Sequence, residues 1–192
     1  MQDKKLIAIT GGIGSGKSTA LQILSDLGYK TLTSDKIVSE LYEKQQVRRL
    51  LKPLFPDAVT GEDFVLDRKK IADEVFTNKQ KHQTLTDLIT PMVMAEIIKR
   101  TTDDELCFVE VPLLFECGFE ELFDGVIVVS RSLESRIESV IARSNLTKEQ
   151  VLARISNQFD YENADLSSYT VIINDFDQNA LKTKLLEFIN TL

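Results

Sequence analysis

Residues 5–18 read Lys5-Leu-Ile-Ala-Ile-Thr10-Gly-Gly-Ile-Gly-Ser-Gly-Lys17-Ser18. Lys5 to Thr10 is a short apolar run that stops at glycine, the pattern of a strand buried on both faces. Gly11 to Ser18 then spells G-x-x-x-x-G-K-[ST]. Polyphosphate oxygens have to be wrapped by backbone N–H groups, so such a loop needs glycines to turn without Cβ clashes. A helix beginning near Gly16 points the positive end of its dipole at the anion. Lys17 reaches the β- and γ-phosphates, and the Ser18 hydroxyl binds Mg²⁺. The candidate nucleotide-binding residues are therefore Gly12, Ile13, Gly14, Ser15, Gly16, Lys17, Ser18 and Thr19, with ATP and Mg²⁺ as the expected cofactors. The strand before the motif and the helix after it are the context that the chemistry requires. On its own the loop says nucleotide and not reaction, since switches, motors and small kinases all carry it.

Working outward, Ser18 to Leu27 has apolar residues at 20, 21, 23, 24 and 27, a helical spacing that Gly28 ends. Tyr29 to Thr33 reads as a second strand, and Ser34 caps a helix through Ile37, Val38, Leu41 and Tyr42. From 45 to 102 the pattern is helical. Pro53 and Pro56 break it, and Thr60-Gly-Glu-Asp63 reads as a turn. Leu66–Phe76 and Leu85–Ile98 are expected helices, with Pro91 splitting or starting the last and Thr90 its cap. Strands return at Leu106–Val111 and Gly125–Ser130. The helix Ser132–Arg143 follows, and a second opens at Asn145 with Thr147 and Gln150 at capping-box spacing. Thr170–Asn174 is a fifth strand and Gln178–Leu192 a closing amphipathic helix. Alternating strands and helices predict an α/β fold: a doubly wound sheet of five parallel strands flanked by helices, of the P-loop NTPase type. The expected organisation is one nucleotide-binding domain with its core at 1–44 and 103–192, a helical substrate-side insertion at 45–102 and a lid at 143–163.

The 192 residues are 43% hydrophobic and 28% charged, ordinary for a chain that buries a core of its own. No apolar run approaches the roughly 20 residues of a membrane span. Met1-Gln-Asp-Lys-Lys5 leads into the first strand without the apolar stretch of a signal peptide, so the expected compartment is the cytoplasm. A net charge of −7 argues against general nucleic-acid binding and requires positive charge to be concentrated wherever a polyphosphate sits. Cys107 lies in an apolar run and reads as a core residue, and the two cysteines are not spaced for a metal. His82, the single histidine, reads as a surface residue of a polar helix, which leaves a histidine triad or zinc site little to draw on.

Three further residues can carry chemistry. Asp35 follows the second strand, where a doubly wound sheet places it at the carboxyl edge. There it can orient an acceptor hydroxyl and take its proton, or simply complement a helix dipole. Glu110, near the end of the strand from Leu106, can hold Mg²⁺ through water or face away. Arg143 ends the helix after the fourth strand. It can close on a transferring phosphate from a mobile lid, or serve as an ordinary dipole partner. Arg136 lies on the same helix.

Together Ile9-Thr-Gly-Gly-Ile-Gly-Ser-Gly-Lys-Ser18, Ser34-Asp35-Lys-Ile-Val, Leu66-Asp-Arg-Lys-Lys-Ile-Ala-Asp-Glu-Val-Phe76 and Val111-Pro-Leu-Leu-Phe-Glu116 resemble the dephospho-CoA kinase family. The similarity continues through Gly125-Val-Ile-Val-Val, Arg143, Leu146-Thr-Lys-Glu-Gln150, Gln158 and Ile172-Ile-Asn174, nearly the whole chain in order. The resemblance implies transfer of the ATP γ-phosphate to the 3′-hydroxyl of dephospho-CoA, the last step of coenzyme A synthesis. It also implies Asp35 as general base and Arg143 as a lid arginine on the ATP phosphates. The implied partners are these two small molecules, with no nucleic acid or membrane, and the expected state is a monomer or weak homo-oligomer.

The chain departs from the family pattern mostly on the substrate and lid sides. Thr33-Ser34-Asp35 stands for Asp-Ala-Asp, Thr90-Pro91 for His-Pro, and Ser139 for a second arginine. Phe159-Asp-Tyr-Glu162 stands where basic residues are common, and Ser168-Tyr169 stands for Ala-Asp. Lys36, Arg68 and Lys69 are cations that can compensate. Another small-metabolite or nucleoside monophosphate kinase is the nearest rival. A non-catalytic nucleotide switch is the more distant one, and the Asn-Lys-x-Asp base-recognition motif is absent.

Overall fold

The structure is a computed structural model that describes residues 4–144, 146–175 and 177–192. Met1 to Asp3, Asn145, Phe176 and the side chain of Phe76 lie outside the described residues. β1 (Lys5–Thr10) leads through the glycine loop into α1 (Lys17–Asp26), and β2 (Lys30–Thr33) follows. α2 (Ser34–Glu43), α3 (Gln45–Leu51), β3 (Val59–Thr60), β4 (Val65–Leu66), α4 (Arg68–Thr77) and α5 (Lys79–Arg100) come next. Then come β5 (Leu106–Glu110), β6 (Gly125–Ser130), α6 (Leu133–Arg143), α7 (Lys148–Ser156), β7 (Thr170–Ile173) and α8 (Gln178–Ile189).

By compactness the chain divides into two units, one of residues up to Thr33 with Asp103–Leu192, the other Ser34–Thr102. The first holds a five-stranded sheet in the order β2-β5-β1-β6-β7, every adjacent pair parallel. β1 sits at its centre and is buried from Leu6 through Thr10, the longest buried run among the strands. Ile7 and Ile9 point to one side by the pleat and pack with Ala20, Leu21 and Leu24 of α1, Phe108 of β5, and Leu181 and Leu185 of α8. Phe108 is fully buried and meets the Tyr29 ring edge-on at 5.6 Å. A smaller apolar cluster joins Ile137 and Val140 of α6 to Val151 of α7, with Ile13 of the glycine loop against it.

The second unit is helical apart from the antiparallel pair β3–β4. Ile37, Leu41, Val47, Leu51, Phe55, Ile71, Ile89, Val93 and Ile97 form its interior. Arg100 bonds Glu40 at 2.6 Å and Glu96 at 3.1 Å, and Lys44 bonds Glu96 at 2.9 Å. Two expectations change here. Leu66, expected in a helix, pairs with Val59, and α4 starts only after Asp67, whose carboxylate caps it by accepting from the N–H groups of Lys69 and Lys70. α5 runs unbroken through Pro91, and Thr90 lies inside it instead of capping it. Proline forfeits its own N–H there, but Ile89, Val93 and Ile97 stay buried on one face, and that packing holds the helix together. No described helix is long and apolar enough to cross a membrane.

Candidate active site

β1 ends at Thr10 between β5 and β6, with Ile9 paired to both Glu110 and Ile127. The chain winds to one side of β1 through β2 and β5, and to the other through β6 and β7. The carboxyl edge at such a reversal is where a doubly wound sheet opens a crevice, and the glycine loop lies there. Gly11, Gly14 and Gly16 have φ of 141°, 79° and 101°, conformations L side chains rarely adopt. A Cβ at Gly11 would stand 2.2 Å from the Val129 carbonyl oxygen.

In front of the loop is a cavity of about 350 Å³ lined by Ile13, Gly14, Gly16, Lys17, Ser18, Thr19, Glu110, Pro112, Arg131, Ser139, Arg143, Gln158 and Asn174. The structure thus brings most of the sequence-derived phosphate residues into one wall, together with Glu110 and Arg143. Two do not line it. Gly12 backs onto the Arg136 guanidinium, and Ser15 is 1% exposed with a buried Oγ that has no hydrogen-bond partner among the described residues. Asp35 is exposed in the first turn of α2, within the second unit.

Lys17 Nζ donates to the carbonyls of Gly11 at 2.7 Å and Gly12 at 3.1 Å. Burial pulls its pKa down to about 8; Glu110 and Glu116 oppose the shift, and Arg143 and Arg136 add to it. Ser18 Oγ donates to Glu110 Oε1 at 3.2 Å, so the Glu110 carboxylate turns toward the loop. A hydroxyl and a carboxylate so close are hard oxygen donors of the kind Mg²⁺ takes.

The loop is also held from behind. Ile13 N–H donates to Gln158 Oε1 at 2.8 Å, and Arg136 Nε donates to the Ile13 carbonyl at 3.0 Å. Asn174 Nδ2 donates to the Ser15 carbonyl at 2.8 Å, while its own N–H is fixed on the Ser130 carbonyl at 2.8 Å. The sequence singled out Gln158 and Asn174 only through the family resemblance, and it gave Arg136 no role. A signal for Arg136 was present: it shares the spacing of Ile137 and Val140, a charged residue on the buried stripe of its helix.

The departures after Gln158 also have a structural place. Phe159, Tyr161 and Tyr169 gather around Phe115, with ring centroids 4.6, 5.9 and 5.0 Å from it. Tyr161 Oη lies 3.1 Å from Thr10 Oγ1, and burial pushes its pKa up to about 12. Glu116 Oε1 accepts the Phe159 N–H at 2.9 Å. Aromatic packing thus occupies ground where the family commonly places cations. Arg68, a cation that could compensate, is engaged with Glu43 and with the Ser39 carbonyl at 3.0 Å.

The sequence profile described as dephospho-CoA kinase matches residues 5–180. A dephospho-CoA kinase of Fusobacterium nucleatum is 32% identical over 190 residues, covering 97% of this chain and 98% of that protein. A crystal structure from Thermus thermophilus superimposes with a TM-score of 0.87 at 34% identity, over 99% of this chain and 98% of that one. The dephospho-CoA kinase of Campylobacter jejuni superimposes with a TM-score of 0.66 at 27% identity, over 97% and 96%. With a parallel sheet, a phosphate loop at its carboxyl edge and likeness along almost its full length, the chain belongs to the dephospho-CoA kinase family.

Proposed function

We propose that the chain transfers the γ-phosphate of ATP to the 3′-hydroxyl of dephospho-CoA, giving CoA and ADP. The observation that carries this is the single cavity in which the loop backbone, Lys17, the Ser18–Glu110 pair and Arg143 converge. Backbone N–H groups of the loop and Lys17 hold the phosphates. Lys17 exchanges its contacts with the Gly11 and Gly12 carbonyls for phosphate oxygens as ATP enters. Ser18, with Glu110 behind it, would hold Mg²⁺. When bound, the ion would supply neutralisation of the phosphate charge. Arg143 lies against the γ-phosphate and offsets the charge that develops there, as the segment 143–163 closes as a lid. Asp35 orients the acceptor hydroxyl and takes its proton. Such catalysis is mostly positioning and electrostatics. We place the activity in the cytoplasm, in a monomer or weak homo-oligomer.

An ADP-release assay with dephospho-CoA, AMP, dCMP and shikimate as acceptors tests the proposal. Turnover that depends on dephospho-CoA is the expected result. Turnover only with another acceptor would assign the chain a different substrate, and ATP binding without any acceptor-dependent ADP would make it a switch.

A further inference from the structure

In a planar trans peptide the carbonyl of one residue and the N–H of the next point in opposite directions. A side chain that holds the Ile13 carbonyl therefore also aims the Gly14 N–H. Arg136 holds it, with Nε 3.0 Å from the oxygen. Gly14 lines the nucleotide cavity and Arg136 does not. We propose that Arg136 is a positioning residue for phosphate binding: from behind the loop it fixes the Ile13–Gly14 peptide plane, so that the Gly14 N–H faces the nucleotide.

Three independent observations support this. First, Arg136 stands in the first turn of α6, where a cation opposes the helix dipole, so complementing that dipole does not explain it. Second, it is only 5% exposed, and its one ion pair among the described residues, to a Glu162 carboxylate that is itself largely exposed, is 3.6 Å long. A buried guanidinium so thinly paired has its best contact in the Ile13 carbonyl. Third, Gly12 occupies a free position of the phosphate-loop motif and has no positive φ. A Cβ there would stand 2.4 Å from Arg136 Nη2, so the glycine makes room for the guanidinium. Gln158 secures the preceding plane through the Ile13 N–H, and Asn174 secures the Ser15–Gly16 plane through the Ser15 carbonyl. Side chains from the last third of the chain thus set three of the peptide planes of the loop.

Arg136 can act this way only if the cradle binds ATP, as proposed above. ATP titration of the parent protein by calorimetry tests that condition separately, and a parent that binds no ATP sinks the functional proposal. Given parent binding, Arg136→Ala is expected to weaken ATP about tenfold or more, as loss of a charge-assisted hydrogen bond implies. KM for the acceptor should stay within about twofold. Added guanidinium should restore part of the ATP affinity, and methylammonium should not, because only the planar ion offers the lost donor geometry. ATP affinity within about twofold of the parent, equal losses for both substrates, or no difference between the two added cations would each overturn the proposal. If Arg136→Ala does not fold, Arg136→Lys keeps the charge but loses the Nε donor and is expected to show the same selective loss for ATP. A parent-like ATP affinity in Arg136→Lys would equally overturn it.

Discussion

Lys17 is a cation whose charge depends on where it is buried. With its pKa lowered to about 8 in the free protein, it is protonated below that pH and increasingly neutral above it. Only the protonated amine attracts phosphate, so kcat/KM for ATP is expected to fall above about pH 8, approaching tenfold per pH unit. A profile flat to pH 10 would contradict this. Asp35 supports a separate expectation. Asp35→Asn should lower kcat by roughly 10²–10⁴ while ATP affinity, read by calorimetry, stays near the parent value. A parent-like kcat would remove Asp35 from its role as base. The phosphate-loop residues were legible in the sequence because the loop uses its own backbone, and glycine spacing records that directly. The contacts of Arg136, Gln158 and Asn174 with the loop were not legible, since they span 123, 145 and 159 residues; spacing could mark Arg136 only as a charge on a buried helix face.

At the scale of elements, local signals were sound wherever they stood alone. The capping box at Thr147 and Gln150 forms with both of its hydrogen bonds. Thr147→Ala should destabilise α7 by about 1 kcal/mol. Amide hydrogen exchange is expected to quicken in residues 148–156 first, and unchanged exchange there would show that the cap contributes nothing. Local signals misled where packing outweighed them. Pro91 looked like a helix boundary, yet the buried Ile89–Val93–Ile97 face carries α5 through it. Leu66 looked like the start of a helix because its apolar periodicity continues into α4, but pairing with Val59 claims it first. Pairings of residues distant in sequence leave no periodic trace. The parallel sheet, by contrast, was evident in its apolar runs, because strands covered on both faces leave little choice of residue.

For the molecule as a whole, ligand binding and folding are linked. ATP at about 100 times its Kd should stabilise the folded chain by about 2.7 kcal/mol. For a chain of this size that raises Tm by roughly 5–10 °C. Scanning fluorimetry against ATP concentration measures it, and an unmoved Tm at saturating ATP would contradict the assignment of the cavity. The order of synthesis adds a constraint of its own. The phosphate loop leaves the ribosome before the strands that flank it, and β1 has no sheet partners until β5 and β6 emerge. The loop also has no backing until residues 136, 158 and 174 have been made. A nascent chain stalled before β7 would therefore carry the whole motif and still be unable to grip ATP. Nucleotide competence is acquired only once residue 174 has been made.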